Sequence, residues 1–247
     1  MHAASSVLLD LDPAYAGQPR LRRAVARRVS LPPLPRLLCP VERARAALAA
    51  ASWPAPALVF LGSGDYHYLT ALLLERIGTP VHLVLVDHHP DDDPGWDAGF
   101  LSCGGWVAWA RQRGLVAAAW HVGTGPLPPA RWLRQRLGAG SARPPVYVSI
   151  DKDALRPQDA ATNWDQGSLG LAELLPWLEE LLAGCSLAGM DVCGEVTPRL
   201  PGFPSPAEAR ALARNEAANL ALLGLWRRLT QSSPSPARPG SGGARAA

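Results

Sequence analysis

The sequence predicts an α/β fold: a three-layer α-β-α arrangement around a mostly parallel sheet. Three observations carry that prediction. Short apolar runs alternate with stretches of helical periodicity along the whole chain. Clusters of acidic and histidine residues follow directly on several of the runs, where parallel sheets place their ligand sites. The chain has 247 residues, 48% of them hydrophobic and 18% charged, which is enough for one sizeable domain with a full core.

The elements follow in order. Val7–Leu11 is the first apolar run, and Asp10 and Asp12 beside it read as structural or capping residues. Ala24–Pro40 is rich in Pro and Arg and is expected to be an irregular surface connection. A helix is expected over Val41–Ala51, a strand over Leu58–Leu61 and a helix over Tyr68–Ile77. The run VHLVLV gives a strand at Val81–Val86, followed by a helix over Gly105–Arg113 and a strand over Val116–Trp120. Ala130–Leu137 reads as a helix, Val146–Ile150 as a buried strand, Leu171–Leu182 as a helix and Leu187–Met190 as the last strand. Pro206–Leu229 is a long helix, and the low-complexity tail from Gln231 is expected to be disordered. Residues 1–230 are thus expected to form one domain.

Net charge is only +3, which argues against a nucleic-acid partner. Lys152 is the only lysine among 24 basic residues, a sign of compositional bias rather than of a selected arginine function. Cys39, Cys103, Cys185 and Cys193 lack C-x-x-C spacing and do not suggest a disulfide scaffold. The N-terminus lacks the pattern of a signal peptide, and no apolar run reaches membrane-spanning length. A cytoplasmic protein with a small-molecule partner and no membrane partner is expected.

The chemistry sits in four pieces. The segment DHHPD carries Asp87, His89 and Asp91 at alternate positions past a strand end, so their side chains share one side. His88 is the competitor in register. SIDKD repeats the spacing with Asp151 and Asp153. LGSGDYHYLT turns out of a strand at Gly62 and Gly64 and brings His67 to a helix start, with Asp65 as a cap or a support. GMDVCGEVTP places Glu195 after the last strand. Grouped carboxylates need a compensating charge, and a divalent cation supplies one. Trp96, Trp106, Trp109 and Trp164 gather near these motifs as core or pocket lining.

Over roughly residues 55–200 this arrangement resembles the arginase/agmatinase (ureohydrolase) family, as a divergent member. That family carries a G-G-D-H-S turn, D-A-H-x-D, S-x-D-x-D and a late Glu. Asp87, His89 and Asp91 match the second motif position by position, and Ser149, Asp151 and Asp153 match the third. His67 resembles the histidine of the first turn, with one extra residue after Asp65. The resemblance implies an arginase/deacetylase-like fold and a centre of two Mn²⁺ ions held by His67, Asp87, His89, Asp91, Asp151 and Asp153. It also implies a metal-bridging hydroxide as nucleophile, Glu195 as the contact to a cationic substrate, and a homo-oligomer. The implied reaction is hydrolysis of a non-peptide C–N bond in a linear guanidine, amidine or related amide.

Two stretches depart from the family pattern. The proton-moving histidine of the family's G-N-x-H-G segment is absent from DAGFLSCGGWVAW, leaving Ser102, Cys103 or His121 for that part. TNWDQGSLGL replaces the usual substrate loop and puts Thr162, Asn163, Asp165 and Gln166 where substrate contacts fall, with Asn163 and Asp165 as the main candidates. Metal chemistry is therefore expected to persist while substrate recognition is rebuilt. The rival readings are a mononuclear zinc deacylase of the related deacetylase branch and a non-catalytic metal-binding relative.

Overall fold

A computed structural model describes residues 5–94, 97, 99–137, 143–197 and 204–232. Its centre is a seven-stranded sheet. In chain order the strands of this sheet are β1 (Ser5–Asp10), β2 (Arg27–Ser30), β4 (Ala57–Phe60), β5 (Val81–Val86), β7 (Val116–Val122), β8 (Val146–Asp151) and β9 (Leu187–Cys193). Their spatial order is β2-β1-β4-β9-β8-β5-β7, and every pairing is parallel. A separate antiparallel pair joins β3 (Leu38–Pro40) to β6 (Phe100–Ser102).

The helices are α1 (Pro19–Ala24), α2 (Val41–Ala49), α3 (Leu69–Ile77), α4 (Trp106–Gln112), α5 (Ala130–Leu137), α6 (Leu171–Leu182) and α7 (Pro206–Ser232). They cover both faces of the sheet. Leu133, Leu174, Leu178, Leu222 and Trp226 from α5, α6 and α7 pack with Val84, Val148 and Ile150 on one face. Val41, Leu69, Leu72, Trp106 and Val107 from α2, α3 and α4 pack with Val59, Leu83 and Leu85 on the other. Strand residues alternate between these two cores, as the pleat requires. Because both faces are covered, the central strands read as unbroken apolar runs.

The expected strands and helices all form. The region 24–40, expected to be irregular, instead contains β2 and β3. Strand β2 lies at the sheet edge with an arginine-rich, largely exposed sequence, so it carries no apolar signal. Strands β3 and β6 have three residues each, too few to display a period. Helix α7 runs to Ser232, past Gln231 where the disordered tail was expected to begin. Positions 233–247 of that tail lie outside the described residues, as does Trp96. At the start of α7 the Ser205 hydroxyl accepts from the Glu208 N–H, and the Glu208 carboxylate accepts from the Ser205 N–H. This reciprocal cap sits beside Pro206, whose missing N–H costs nothing at that position.

The four adjacent central strands β4, β9, β8 and β5 end on the same edge of the sheet. Each carries one of the four sequence pieces at its carboxyl end, so residues far apart in the chain are neighbours there.

Candidate metal centre

Strand β5 ends at Val86, and the next five residues turn sharply. The Asp87 Oδ1 accepts from the His89 N–H at 2.7 Å, an Asx-type turn that folds the loop back on itself. Strand β8 repeats the device: Asp151 Oδ1 accepts from the Asp153 N–H at 2.9 Å. Asp153 Oδ1 then accepts from the His88 N–H at 3.0 Å and ties the two turns together. Asp91 has a left-handed backbone, φ 48°, which an aspartate tolerates better than most residues. Its carboxylate is fixed by the Trp106 indole N–H, 2.7 Å from Oδ2.

His67 enters from the turn after β4 and is buried. Asp191 Oδ1 accepts from the Ser149 hydroxyl at 2.7 Å, so the Ser149 oxygen is left to accept from His67 Nε2 at 2.8 Å. Asp191 is held in turn by the Tyr147 hydroxyl at 2.8 Å. This relay leaves Nδ1 of His67 facing carboxylates: Asp91 Oδ2 at 2.9 Å, Asp87 Oδ2 at 3.3 Å and Asp151 Oδ2 at 3.7 Å. Second-sphere partners of this kind orient metal-ligating histidines. On the other side of Asp87, His89 Nδ1 lies 2.9 Å from Asp153 Oδ2 and 3.8 Å from Asp87 Oδ1. The His88 imidazole makes no such approach; its backbone N–H joins the cluster and its ring packs edge-on against His89.

Two donor groups, His67–Asp87–Asp91 and Asp87–His89–Asp153, are joined through the two oxygens of Asp87, and a third, His67–Asp151–Cys193, shares His67 with the first. Asp151 lies beside the first group. Asp87 Oδ2 is buried with no hydrogen-bond partner, a costly state for a carboxylate oxygen. Burial drives the Asp87 carboxyl well above its ordinary value, with Asp91 and Asp151 adding to the rise. Burial likewise pushes Asp151 up to about 7, helped by Asp153. Burial opposes protonation of His67, yet Cys193, Asp87 and Asp91 together raise it well above the usual imidazole range. Such a site demands positive charge. Oxygen donors with two imidazoles suit a hard or borderline divalent cation, so the residues fit a divalent-metal site.

All six sequence-predicted ligands meet in or beside a cavity of about 290 Å³. Its wall is completed by Gly64, Pro90, Asp92, Asp93, Cys103, Gly104 and Trp164. Trp164 is held by its indole N–H to Asp65 Oδ1 at 3.0 Å, and Asp65 Oδ2 is paired with Arg36 at 2.5 Å. Burial pushes the Cys103 thiol up to about 11, so it stays protonated at neutral pH. Asn163 and Asp165 flank Trp164 in the chain and are exposed; Asn163 bonds to Thr197 at 3.3 Å.

Four predicted residues, Asn163, Asp165, Glu195 and His121, do not line the cavity. Glu195 is 1% exposed and does not line the cavity. Its carboxylate pairs with Lys152 and accepts from Gln18 at 2.7 Å, Asn215 at 2.9 Å and Asn219 at 2.6 Å. The cause is local. Gly194 adopts φ +83° and packs against Lys152 and Asp151, turning the following side chain away from the cavity. That placement departs from the expected contact to a cationic substrate. His121 is exposed, donates through Nε2 to the Asp87 carbonyl at 2.9 Å, and also does not line the cavity. Sequence reasoning gave no site role to Asp191 or Cys193 and read Trp106 only as core or pocket lining. The alternation of Asp191 and Cys193 on β9 was the signal available for two of them.

No protein-family model matches the chain. An uncharacterized protein of Thermotoga maritima is 30% identical over 172 residues, covering 67% of this chain; the match spans 66% of that relative's length. Among solved structures, a hypothetical agmatinase from Burkholderia thailandensis superposes with a TM-score of 0.61 at 23% identity, covering 93% of this chain and 88% of its own. Proclavaminate amidino hydrolase from Streptomyces clavuligerus gives a TM-score of 0.61 at 19% identity, covering 92% of each chain. The chain has the α/β fold shared by the arginase/agmatinase (ureohydrolase) structures.

Proposed function

We propose that this chain, built on the ureohydrolase fold, is a binuclear Mn²⁺-dependent hydrolase of a small molecule, acting on a non-peptide C–N bond in a linear guanidine, amidine or related amide. The observation that carries the reading is the pair of donor groups sharing Asp87 beneath one cavity. His67, Asp87, Asp91 and Asp151 would hold one ion, and Asp87, His89, Asp151 and Asp153 the other. When bound, the two cations would supply a water activated near neutral pH and polarisation of the scissile carbon's substituents.

The chain's own residues do the rest. The Asp191–Ser149–His67 relay keeps the His67 Nδ1 lone pair directed at the first position. Trp106 holds Asp91 against drift. Trp164, braced by Asp65, offers a flat wall against which a planar amidine can lie. Asp92 and Asp93 line the same cavity and favour a cationic group there. Asn163 and Asp165, beside Trp164, are proposed to contact the remainder of the substrate. Glu195 and His121 receive supporting rather than catalytic parts. The four free cysteines support a reducing, cytoplasmic setting. Among the described residues no helix is long and apolar enough to cross a membrane. A homo-oligomer is proposed from the resemblance, and light scattering would test it.

The reading is tested by incubating the Mn²⁺-treated protein with a panel of guanidino, amidino and linear amide compounds and measuring release of urea or ammonia. Turnover that disappears in Asp87→Ala is expected. Two bound ions with no turnover across the panel would favour the non-catalytic relative. A single bound zinc ion with deacylation would favour the deacetylase branch.

A further inference from the structure

Strand β9 ends in Asp191-Val192-Cys193, and the pleat points Asp191 and Cys193 to the same side. Asp191 begins the relay that orients His67. Cys193, fully buried, reaches further along the same face to the centre itself. Its Sγ lies 3.1 Å from Asp151 Oδ2. The donor atoms of His67, Asp151 and Cys193 all fall within 4.8 Å of one another, and all three residues are buried. Asp87 Oδ2, buried and without a hydrogen-bond partner, approaches the same His67 Nδ1 at 3.3 Å. The link between that histidine nitrogen and the sulfur is Asp151 Oδ2, 3.7 Å from His67 Nδ1 and 3.1 Å from Cys193 Sγ.

We infer that Cys193 is a thiolate ligand to the first metal position, shared with His67 and Asp151, and that it shifts this position's preference toward thiophilic divalent ions. This rests on the two-ion reading above. On binding, the S–H bond breaks, a metal–sulfur bond forms, and the proton leaves through Asp151, whose Oδ2 already accepts the hydrogen bond and which borders the cavity. Soft sulfur favours Zn²⁺ or Co²⁺ over Mn²⁺, whereas the second position, with three carboxylates and one imidazole, has no such bias. The two positions become chemically unequal, which an all-carboxylate-and-imidazole set would not produce.

Cobalt reports the bond directly, without any turnover. The full chain is stripped with chelator, titrated with Co²⁺ and followed in the near ultraviolet, where thiolate-to-cobalt charge transfer absorbs. A charge-transfer band growing in with the first equivalent is expected. It should vanish in Cys193→Ser and Cys193→Ala and persist in Cys103→Ser, which removes the other thiol at the cavity. Competition between Zn²⁺ and Mn²⁺ should show at least a tenfold greater preference for zinc in the parent than in Cys193→Ser. Cobalt bound, by elemental analysis, without a charge-transfer band in the parent chain would overturn the inference and leave the two-ion reading standing. No cobalt bound at all would overturn both.

Discussion

Lys152 and Glu195 form a fully buried ion pair directly behind the turn that carries Asp151 and Asp153. The chain's only lysine sits between two metal-type ligands yet points away from them. Gln18 at the entrance to α1, and Asn215 and Asn219 on α7, complete the polar cluster around the Glu195 carboxylate. The pair thus ties the turn of Asp151 and Asp153 to two helices distant in sequence. A cation kept out of the cavity this way does not compete with a bound metal.

Breaking that pair is expected to be costly. Lys152→Met leaves a buried carboxylate without its counter-charge and should lower stability by about 3–5 kcal/mol. The double variant Lys152→Met/Glu195→Leu removes both charges and should recover a large part of the loss. Urea denaturation of the two single variants and the double closes the cycle. Additive losses would show that the pair is not energetically coupled.

Trp106→Phe keeps the ring that packs against His67 but removes the N–H held by Asp91. Released from its partner, Asp91 should present its carboxylate less well. Metal affinity is expected to fall by roughly 10–100-fold with the helix content unchanged. Calorimetric titration with Mn²⁺ measures this, and unchanged affinity would remove Trp106 from the account.

Gly194→Ala places a Cβ against Asp151 and Lys152 in a backbone conformation, φ +83°, that alanine resists. A cost of roughly 1–3 kcal/mol is expected from the backbone alone. The displaced Asp151 should weaken both metal positions together. Loss of one ion with full retention of the other would contradict the shared part given to Asp151.

The metal-free chain should lose stability as pH rises. Burial lifts the folded-state value of Asp151 to about 7 and that of Asp87 well above the ordinary carboxylate range. The folded state therefore holds more protons than the unfolded state between the usual aspartate value and that region, and stability falls across the window. His67, also raised, acts in the same direction. Thermal unfolding of chelator-treated protein across this range, beside Asp151→Asn, checks the sign. A metal-free protein that grows more stable with rising pH would contradict it.

The layered fold and five of the six clustered residues were legible because they rest on periodic signals, while His67 was legible only through the resemblance of its turn. Apolar runs such as Val81–Val86 are buried on both faces, and alternate spacing in 87–91 and 151–153 brings the carboxylates and His89 to one side. Choosing His89 over His88 followed from the same alternation. What was hidden depends on contacts between distant segments. The family resemblance made Glu195 a substrate contact, but the backbone at Gly194 turns it toward Lys152. His121 ends in a strand position that faces the Asp87 carbonyl from outside. Strand β2 was invisible because an arginine-rich edge strand needs no apolar face. The stabilising parts of Trp106 and Asp191 appear only once α4 and β9 pack beside the site.

The most direct test is the count of tightly bound metal. Protein incubated with Mn²⁺ and desalted should carry two ions per chain by elemental analysis, and Asp87→Ala, which removes the carboxylate joining the two donor groups, should carry none or a fraction of one. A parent chain that retains no metal, or an Asp87→Ala variant that retains both ions, would contradict the binuclear centre.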